Sequence, residues 1–257
     1  MTQTDYRTET HELQQELEQN IGGEVRFDQM SKTIYSTDAS IYQIEPIGVV
    51  LPRNRDDVVA IIETARKYGI SILPRGAGTS LAGQTVGQSL VIDFSKYMNK
   101  VIELNQEEEW VRIQPGIVLD ELNHQLRPYN VLFAPDPSTS NRGNVGGAIG
   151  NNSCGSHSVK WGKTIDHTLE LDTVLTNGET HLFKHTDRSM LENYTTGDSF
   201  LSVIYKNILR IGTTNAQEVE KQFPKIMRRV SGYNLDEINP DSDFNMARFL
   251  VGSEGTL

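Results

Sequence analysis

The fold is decided by the stretch Pro74-Arg75-Gly76-Ala77-Gly78-Thr79-Ser80-Leu81-Ala82-Gly83-Gln84. An apolar run from Ile70 to Leu73 precedes it and predicts a strand. The small, flexible and hydroxyl-bearing residues of the stretch allow backbone N–H groups to converge on one point, which is the geometry that binds a phosphate oxygen. We therefore interpret it as a phosphate-binding loop, with a glycine-rich turn that holds no ligand as the alternative.

The residues after this loop exclude two familiar phosphate-binding designs. Too few residues separate Gly83 from the next predicted strand, which begins at Leu90, to form the helix that a dinucleotide-binding Rossmann unit requires. The lysine of a nucleotide-hydrolysing P-loop is absent as well. Phosphate should accordingly be held by loop amides and not by a helix terminus.

A second glycine-rich loop strengthens this interpretation. Pro135-Asp136-Pro137-Ser138-Thr139 leads into Gly143-Asn144-Val145-Gly146-Gly147-Ala148-Ile149-Gly150-Asn151-Asn152-Ser153-Cys154-Gly155-Ser156. Such a density of glycines and side-chain amides indicates backbone that approaches a large planar or anionic ligand, across a short helix capped by Asn144. Close packing of a helix on a sheet is the alternative. Two such loops, each after an apolar strand, favour an extended, dinucleotide-like ligand.

Hydrophobic patterns around the loops predict an α+β fold. The run Gly48–Leu51, a helix that begins near Asp56 and the strand at Ile70–Leu73 form a βαβ unit whose strands should be parallel. Further on, apolar runs on both sides of Asn177-Gly178 predict a hairpin with a type I′ turn, because both turn residues tolerate a positive φ. The sheet there should be antiparallel.

Helices should flank these sheets in a two-lobed architecture. Helical spacing marks Phe200–Leu209 and Val219–Met227, and the polar segment His11–Asn20 should form a helix on the surface. The predicted organisation is an N-terminal helical arm over 1–44 and a domain over 45–257. A small lobe with the βαβ unit should cover about 45–110, and a larger lobe of mixed and antiparallel sheet about 111–257.

Composition and charge exclude several classes of protein. The formal net charge of -10 would repel nucleic acid, and no stretch approaches the length of a transmembrane segment. The first residues lack a signal peptide, so we expect a cytoplasmic protein. The single cysteine, Cys154, excludes an internal disulfide. The two histidines at the spacing of helical zinc ligands, His181 and His185, begin in a predicted strand just past the hairpin turn and not on a helix. We predict no metal within this chain.

The motifs together resemble the flavoproteins of the vanillyl-alcohol oxidase and cresol methylhydroxylase type. Besides the two loops, the matching segments are Trp161-Gly162-Lys163-Thr164, Asp166-His167 and Gly252-Ser253-Glu254-Gly255-Thr256-Leu257, in the family's order and approximate spacing. Ser36-Thr37-Asp38-Ala39-Ser40 and Arg229–Asn234 look like the branch of the D-lactate and D-2-hydroxyglutarate dehydrogenases and the proteins similar to the glycolate oxidase subunit.

The resemblance implies FAD as cofactor, with the first loop around its pyrophosphate, the second beside the ribityl chain and isoalloxazine, and the closing motif near the adenine half. The FAD should be non-covalent, because the first loop lacks the histidine through which some members attach flavin. Cys154 offers a thiol for attachment or is a small buried filler, and Trp161 and Tyr233 stack on the flavin or fill the core. The implied cofactor-binding residues are Pro74, Arg75, Gly76, Ala77, Gly78, Thr79, Ser80, Gln84, Pro137, Ser138, Asn144, Gly146, Gly147, Gly150, Asn151, Asn152, Ser153, Gly155, Trp161, Glu254 and Gly255.

The resemblance also implies a reaction, the transfer of a hydride from C2 of a D-2-hydroxy acid to flavin N5, with D-lactate or D-2-hydroxyglutarate as substrate. The electrons should pass to an unknown acceptor other than nicotinamide. In relatives the proton-accepting and carboxylate-binding groups come from a downstream substrate or cap domain, so we assign no catalytic residue here. We expect an N-terminal fragment, truncated before that domain, that binds FAD weakly or not at all and oxidises no hydroxy acid alone.

Other readings stay open at this stage. One is a non-catalytic FAD- or nucleotide-binding module, and another is an NADPH-dependent reductase of the same fold. An iron–sulfur cluster is expected only in the missing C-terminal region, and peripheral association of the full-length enzyme with a membrane also stays open.

Overall fold

The computed structural model describes residues 3–241 and 243–256. Contacts between Cα atoms divide the chain into two compact units, which we treat separately. The first comprises Met1–Phe133, Ser138–Ala148 and Val174–Glu179, and the second comprises Ala134–Pro137, Ile149–Thr173 and Thr180–Leu257. The mixture of helices with small parallel and antiparallel sheets confirms the predicted α+β class.

A four-stranded mixed sheet organises the first unit. Its elements in chain order are α1 (Gln3–Asn20), β1 (Glu24–Arg26), α2 (Gln29–Tyr35), β2 (Gly48–Leu51), α3 (Arg55–Lys67), β3 (Ile72–Arg75) and β4 (Leu90–Asp93). The strand order is β1-β2-β4-β3, and β4 pairs in parallel with both β2 and β3. The predicted parallel βαβ unit is therefore confirmed, with β4 inserted between its two strands.

Local signals explain why α3 forms where it does. The Asn54 side chain accepts a hydrogen bond from the Asp57 amide at 2.9 Å, which caps the helix and satisfies one of its first N–H groups. Asp57 in turn accepts the Gly22 and Arg53 amides, at 2.8 Å each. The apolar stripe of α3, which includes Ile61, packs on the sheet.

The N-terminal helix is part of this core. Leu13 and Leu17 are 1% and 0% exposed and belong to the same cluster as Val50, Ile61 and Leu90. The prediction that His11–Asn20 lies on the surface is therefore wrong for one helix face, because two apolar residues four positions apart suffice to bury it. The described part of 1–44 also contributes β1 to the sheet, while the predicted domain boundaries stay a prediction.

The rest of the first unit follows the sheet. The strands β5 (Val101–Asn105) and β6 (Trp110–Ile113) pair antiparallel, with an acidic loop between them. The helices α4 (Leu119–Leu126) and α5 (Val145–Gly150) come next in the chain, with a 3₁₀ turn at Arg127–Tyr129 directly after α4.

The second unit holds a hairpin and several helices. Its elements are α6 (Ser158–Trp161), a 3₁₀ turn at Thr164–His167, β7 (Glu170–Val174), β8 (Thr180–Lys184), α7 (Arg188–Tyr194), α8 (Phe200–Gln222), a 3₁₀ turn at Leu235–Glu237, β9 (Ile238–Asn239), β10 (Asp243–Phe244) and α9 (Met246–Leu250). The strands β7 and β8 pair with each other, as predicted. Among the residues described, no helix is both long and apolar enough to cross a membrane.

Two sequence predictions about this region are wrong. At the hairpin turn only Gly178 has a positive φ, at +89°, and its amide donates to the Leu175 carbonyl at 2.9 Å, so the turn is not type I′. The helix predicted over Val219–Met227 does not continue past Gln222. Proline at 224 disfavours the helical conformation of Phe223, which is extended with ψ 125°.

Aromatic rings form the centre of the second unit. Tyr205 is 1% exposed, stacks on Tyr194 with ring centroids 4.6 Å apart, and lies near Phe244. His181 Nε2 is 3.2 Å from the Tyr205 hydroxyl, and the imidazole makes edge contacts with Phe183 and Tyr194. Burial lowers the pKa of His181 from its ordinary value of 6.5, because the rings around it do not solvate a cation.

Shortening Leu17 tests whether α1 belongs to the first unit. Leu17→Ala removes a fully buried side chain and should lower the free energy of unfolding by about 2–5 kcal/mol, measured by urea denaturation. The matched control is Gln19→Ala on the exposed face of the same helix, expected to change stability by less than about 0.5 kcal/mol. Equal effects of the two variants would contradict the burial of α1.

His181 should make stability depend on pH. Its folded-state pKa lies below the unfolded value, so the stabilisation is complete above pH 6.5 and is lost as the pH falls below it. His181→Phe should therefore flatten the decline in the unfolding midpoint between about pH 6.5 and 5, the range set by the ordinary histidine pKa. The exposed His124→Gln is the control and should keep the wild-type decline. A wild-type slope in His181→Phe would refute this assignment.

Candidate functional site

The first glycine-rich loop leaves the end of β3 and exposes a row of backbone donors. Gly78 adopts φ +65°, a conformation that glycine reaches without strain. Within the described part of the chain, the N–H groups from Ala77 to Ser80 donate no hydrogen bond to another protein atom. Successive unpaired amides on a bent backbone form a concave site for an anion. The loop therefore has donors free for an anion, and its binding of phosphate stays a prediction.

The carbonyl groups around the loop, unlike its amides, form hydrogen bonds within the protein. The Gly78 carbonyl accepts a hydrogen bond from the Ala39 amide at 3.0 Å. The Arg75 guanidinium donates to the carbonyls of Thr37 and Thr85, at 2.7 and 2.9 Å. Ser80 is 8% exposed, and the Gln84 amide approaches its hydroxyl at 3.4 Å. The loop is thus anchored through its acceptors and its arginine, while its donors stay available.

Asn144, at the start of the second loop, lies against the first loop. A Cβ atom added to Gly76 would stand 2.6 Å from Asn144 Oδ1, so only glycine fits there without a shift of the asparagine. The Asn144 amide nitrogen donates to the Gly116 carbonyl at 2.5 Å. Its Oδ1 is buried and has no hydrogen-bond partner among the described atoms. The structure therefore brings Gly76 and Asn144 together, as two loops that bind one ligand require.

Two further contacts fix the beginning of α5. The Val145 and Gly146 amides donate to the carbonyls of Ile117 and Pro115, at 2.9 and 2.8 Å. A Cβ on Gly146 would stand 2.7 Å from the Pro115 side chain. At this point close backbone packing, the alternative kept open for the second loop, is an observed feature of it. Gly147, by contrast, has nothing within 4 Å of an added Cβ.

In the second unit the closing motif meets the end of α5. The Gly252 amide donates to the Ile149 carbonyl and the Glu254 amide to the Gly150 carbonyl, both at 2.9 Å. Glu254 has φ +52°. Two predicted cofactor-binding residues, Gly150 and Glu254, are thus adjacent, although the resemblance assigns their segments to different halves of the cofactor.

Several predicted residues make structural contacts of their own. Asn152 is 1% exposed, with φ +47°, and its Oδ1 accepts the Ile165 amide at 3.1 Å. The Ser153 carbonyl accepts both the amide and the hydroxyl of Thr164. Trp161 is 41% exposed, and its ring lies 5.2 Å from that of His157. Of the remaining predicted residues, Pro137, Asn151 and Gly155 are partly buried and Pro74, Ser138 and Gly255 are exposed.

Sequence reasoning missed a pair of polar side chains in the second unit. Asp136 Oδ2 lies 2.6 Å from His157 Nδ1, and its Oδ1 accepts the His157 amide at 2.9 Å. Burial raises the pKa of Asp136, but the hydrogen bonds from His157 and Ser156 outweigh it, so the pKa lies below its ordinary value. Neither spacing nor composition signals a pair of residues so far apart in the chain. The described residues form no cluster of three metal-binding side chains.

Comparison with models of known protein families identifies the family of this chain. Residues 46–183 match the model described as FAD binding domain, which covers both glycine-rich loops. The chain belongs to the FAD-binding domain family. Its cofactor is therefore FAD, and unpaired backbone amides such as those of the first loop are chemically suited to its diphosphate.

The FAD-binding domain is also similar to named relatives. It is 38% identical over 239 residues to D-2-hydroxyglutarate dehydrogenase of Pseudomonas putida, which covers 91% of this chain and 24% of the relative. It is 33% identical to glycolate oxidase subunit GlcD of Bacillus subtilis, over 96% of this chain and 43% of that protein. The chain thus spans about a quarter of the length of the dehydrogenase it matches.

Solved structures share the fold of the domain. Alkyldihydroxyacetonephosphate synthase superposes with a TM-score of 0.60 at 24% identity, over 67% of this chain and 35% of that chain. The 4-ethylphenol oxidase of Gulosibacter chungangensis gives a TM-score of 0.57 at 21% identity, over 68% and 35%. These likenesses confirm the predicted vanillyl-alcohol oxidase type of fold and carry no statement about substrate.

Adding a methyl group to Gly76 tests the contact between the loops. Gly76→Ala should lower the free energy of unfolding by about 1–3 kcal/mol, because the buried Asn144 side chain has to move. It should also weaken FAD binding by about tenfold or more in a fluorescence titration, since the amides shift. Gly87→Ala is the matched control, because its added Cβ would meet no atom closer than 3.5 Å. Wild-type behaviour of Gly76→Ala would contradict the site.

Proposed function

We propose that this FAD-binding domain serves an enzyme that oxidises a D-2-hydroxy acid, with D-2-hydroxyglutarate as the first candidate. The single observation that carries the proposal is the 38% identity to D-2-hydroxyglutarate dehydrogenase of Pseudomonas putida, which extends over 91% of the chain. The dehydrogenase of the same name in Escherichia coli supports it, at 37% identity over 95% of the chain.

The residues that we propose to hold FAD follow from the geometry of each unit. In the first unit, the amides from Ala77 to Ser80 would bind the diphosphate, with Gly76, Gln84 and Asn144 shaping the cradle. In the second unit, the backbone from Gly150 to Gly155 would lie along the cofactor. Glu254 is held next to this backbone by the hydrogen bond from its own amide to the Gly150 carbonyl. The remaining predicted residues are Pro74, Arg75, Pro137, Ser138, Gly146, Gly147, Trp161 and Gly255, and they keep their proposed places near the cofactor.

The chemistry would divide between cofactor and protein. Bound FAD supplies the two-electron acceptor for a hydroxy acid that becomes a 2-oxo acid. The role of this chain would be to bind and orient FAD through backbone N–H donors. Because these donors do not titrate, their charge distribution stays the same at any working pH. We assign no proton-accepting side chain to the chain, and the electron acceptor is outside the proposal.

A smaller 2-hydroxy acid is the second candidate substrate. The observation that favours it is the match to glycolate oxidase subunit GlcD of Bacillus subtilis, which covers more of its relative, 43%, than the match to the dehydrogenase does. Glycolate has no side chain beyond C2, so a site built for it should reject the second carboxylate of 2-hydroxyglutarate. The two candidates therefore make opposite predictions for substrate preference.

The proposal is tested first by binding and then by reduction. The protein expressed from its complete natural reading frame should bind FAD, seen as quenching of flavin fluorescence, and the purified chain should bind it weakly or not at all. The protein expressed from its complete natural reading frame should lose its yellow absorbance when D-2-hydroxyglutarate is added without oxygen. L-2-hydroxyglutarate is the matched control and should leave the flavin oxidised. NADPH should also leave it oxidised, which separates the proposal from a reductase of the same fold.

Specific outcomes would overturn the proposal. Absence of FAD binding by both proteins would remove the cofactor role of this chain. Bleaching by glycolate or D-lactate in preference to D-2-hydroxyglutarate would replace the first substrate by the second candidate. A flavin that no 2-hydroxy acid reduces would leave a non-catalytic binding module as the better description.

A further inference from the structure

The first residue of the glycine-rich loop, Arg75, directs its side chain back into the protein. Its Nη1 donates to the carbonyls of Tyr35 and Thr85, at 3.2 and 2.9 Å, and its Nη2 donates to the carbonyl of Thr37 at 2.7 Å. The guanidinium also lies over the Tyr35 ring, 5.2 Å from the centroid. The Arg75 guanidinium therefore already contacts three carbonyls and one aromatic face. The resemblance, by contrast, places Arg75 at the diphosphate.

The partners of Arg75 belong to the segments on both sides of the loop. Tyr35 and Thr37 precede Ala39, whose amide donates to the Gly78 carbonyl at 3.0 Å, and Thr85 follows the loop directly. A Cβ on Gly78 would stand 2.6 Å from Arg75 Nη2, so the loop backbone turns directly over the guanidinium. One side chain thus connects the residues before, within and after the turn.

Two more hydrogen bonds attach this arrangement to the sheet. The Tyr35 hydroxyl donates to Asp93 Oδ2 at 2.5 Å, and Asp93 is the last residue of β4. The Thr85 hydroxyl donates to Asp38 Oδ2 at 2.9 Å. The Tyr35 ring under the guanidinium is therefore fixed by β4, the strand next to β3. The hydrogen bond between Thr85 and Asp38 joins the segments before and after the loop a second time.

We propose that Arg75 is a positioning residue, which sets the direction of the Ala77–Ser80 amides through its carbonyl partners and is not itself a ligand of the phosphates. The inference rests on the proposed function, because it assigns a role in binding the FAD diphosphate. A planar guanidinium is suited to this role, since it donates along fixed directions to several carbonyls at once. A lysine carries the same charge but lacks the fork.

Ligands that differ in the diphosphate provide the first test. Arg75→Gln should weaken the binding of FAD and of ADP by about ten- to a hundredfold, as expected when binding groups lose their preorganisation. Riboflavin lacks the diphosphate, and its affinity should stay within about twofold. Loss of riboflavin binding as well would indicate a general loss of structure and would overturn the specific role.

Salt and charge separate positioning from direct contact. Potassium chloride should weaken ADP binding by the same factor in wild type and Arg75→Gln, because a direct ion pair with phosphate would be screened and an indirect effect would not. Arg75→Lys should bind as poorly as Arg75→Gln. Recovery of affinity in Arg75→Lys, or a smaller salt dependence in Arg75→Gln, would make Arg75 a phosphate ligand and overturn the inference.

Arg53→Gln is the matched control. Arg53 also stacks on a tyrosine, with its guanidinium 4.2 Å from the Tyr97 centroid, and donates to the Gly22 carbonyl at 2.8 Å. It belongs to the same unit but, among the residues described, forms no hydrogen bond or ring contact with the loop. Its replacement should change the affinity for ADP by less than about twofold, since it leaves the preorganised donors untouched.

A measurement without any ligand keeps the inference testable if FAD binding fails. Amide hydrogen exchange of Ala39 and Ser40, whose amides donate to the Gly78 carbonyl and to Asp38 Oδ1, should be faster in Arg75→Gln than in wild type, and unchanged in Arg53→Gln. Unchanged exchange in Arg75→Gln would overturn the inference. Absence of FAD and ADP binding by both the wild-type chain and the protein of the complete reading frame would instead refute the proposed function, so the two failures are distinguishable.

Discussion

The constraint on which this structure depends is that backbone amides must be rigid and unpaired at the same time. In an anion site made of N–H groups, those donors must form no hydrogen bonds within the protein, yet a loop without such hydrogen bonds is mobile. The first loop meets both demands by using acceptors instead. The Gly78 carbonyl accepts a hydrogen bond from the Ala39 amide, and the Arg75 side chain donates hydrogen bonds to carbonyls of the segments before and after the loop. The donors from Ala77 to Ser80 are thereby left without a protein acceptor among the described residues.

The sheet of the first unit explains where this loop can stand. β3 is an edge strand of a parallel pair, and the loop begins where that strand ends. Ligands of open α/β sheets bind outside the carboxyl ends of such strands, because the connections there are free to vary. The N-terminal region is part of the arrangement, since α1 packs into the core and Tyr35 carries the ring beneath Arg75. Removing it would expose the core and release the loop together.

The second unit uses backbone contacts for a similar purpose. The amides of Gly252 and Glu254 hold the carbonyls at the end of α5, and Asn152 holds the next turn through its buried side chain. Behind these contacts an aromatic core around Tyr205 fixes the hairpin and α8. The matched relatives differ in overall length, and the chain covers 24% of one and 43% of another. What they share with this chain is sequence similarity over more than nine-tenths of its length.

The sequence by itself determined the α+β class, the parallel βαβ unit and both glycine-rich loops, because each depends on local patterns such as an apolar run that ends in glycines. The FAD family followed from the resemblance of its motifs to known flavoproteins. Sequence reasoning misjudged the α1 surface, the hairpin turn and the end of α8, where two leucines, one φ angle and one proline decided the outcome. Only the tertiary structure showed that Arg75 faces carbonyls, that Asn144 meets Gly76 and that Asp136 pairs with His157. These contacts join residues distant in the chain, and their geometry follows from how the strands and helices pack, which no local pattern encodes.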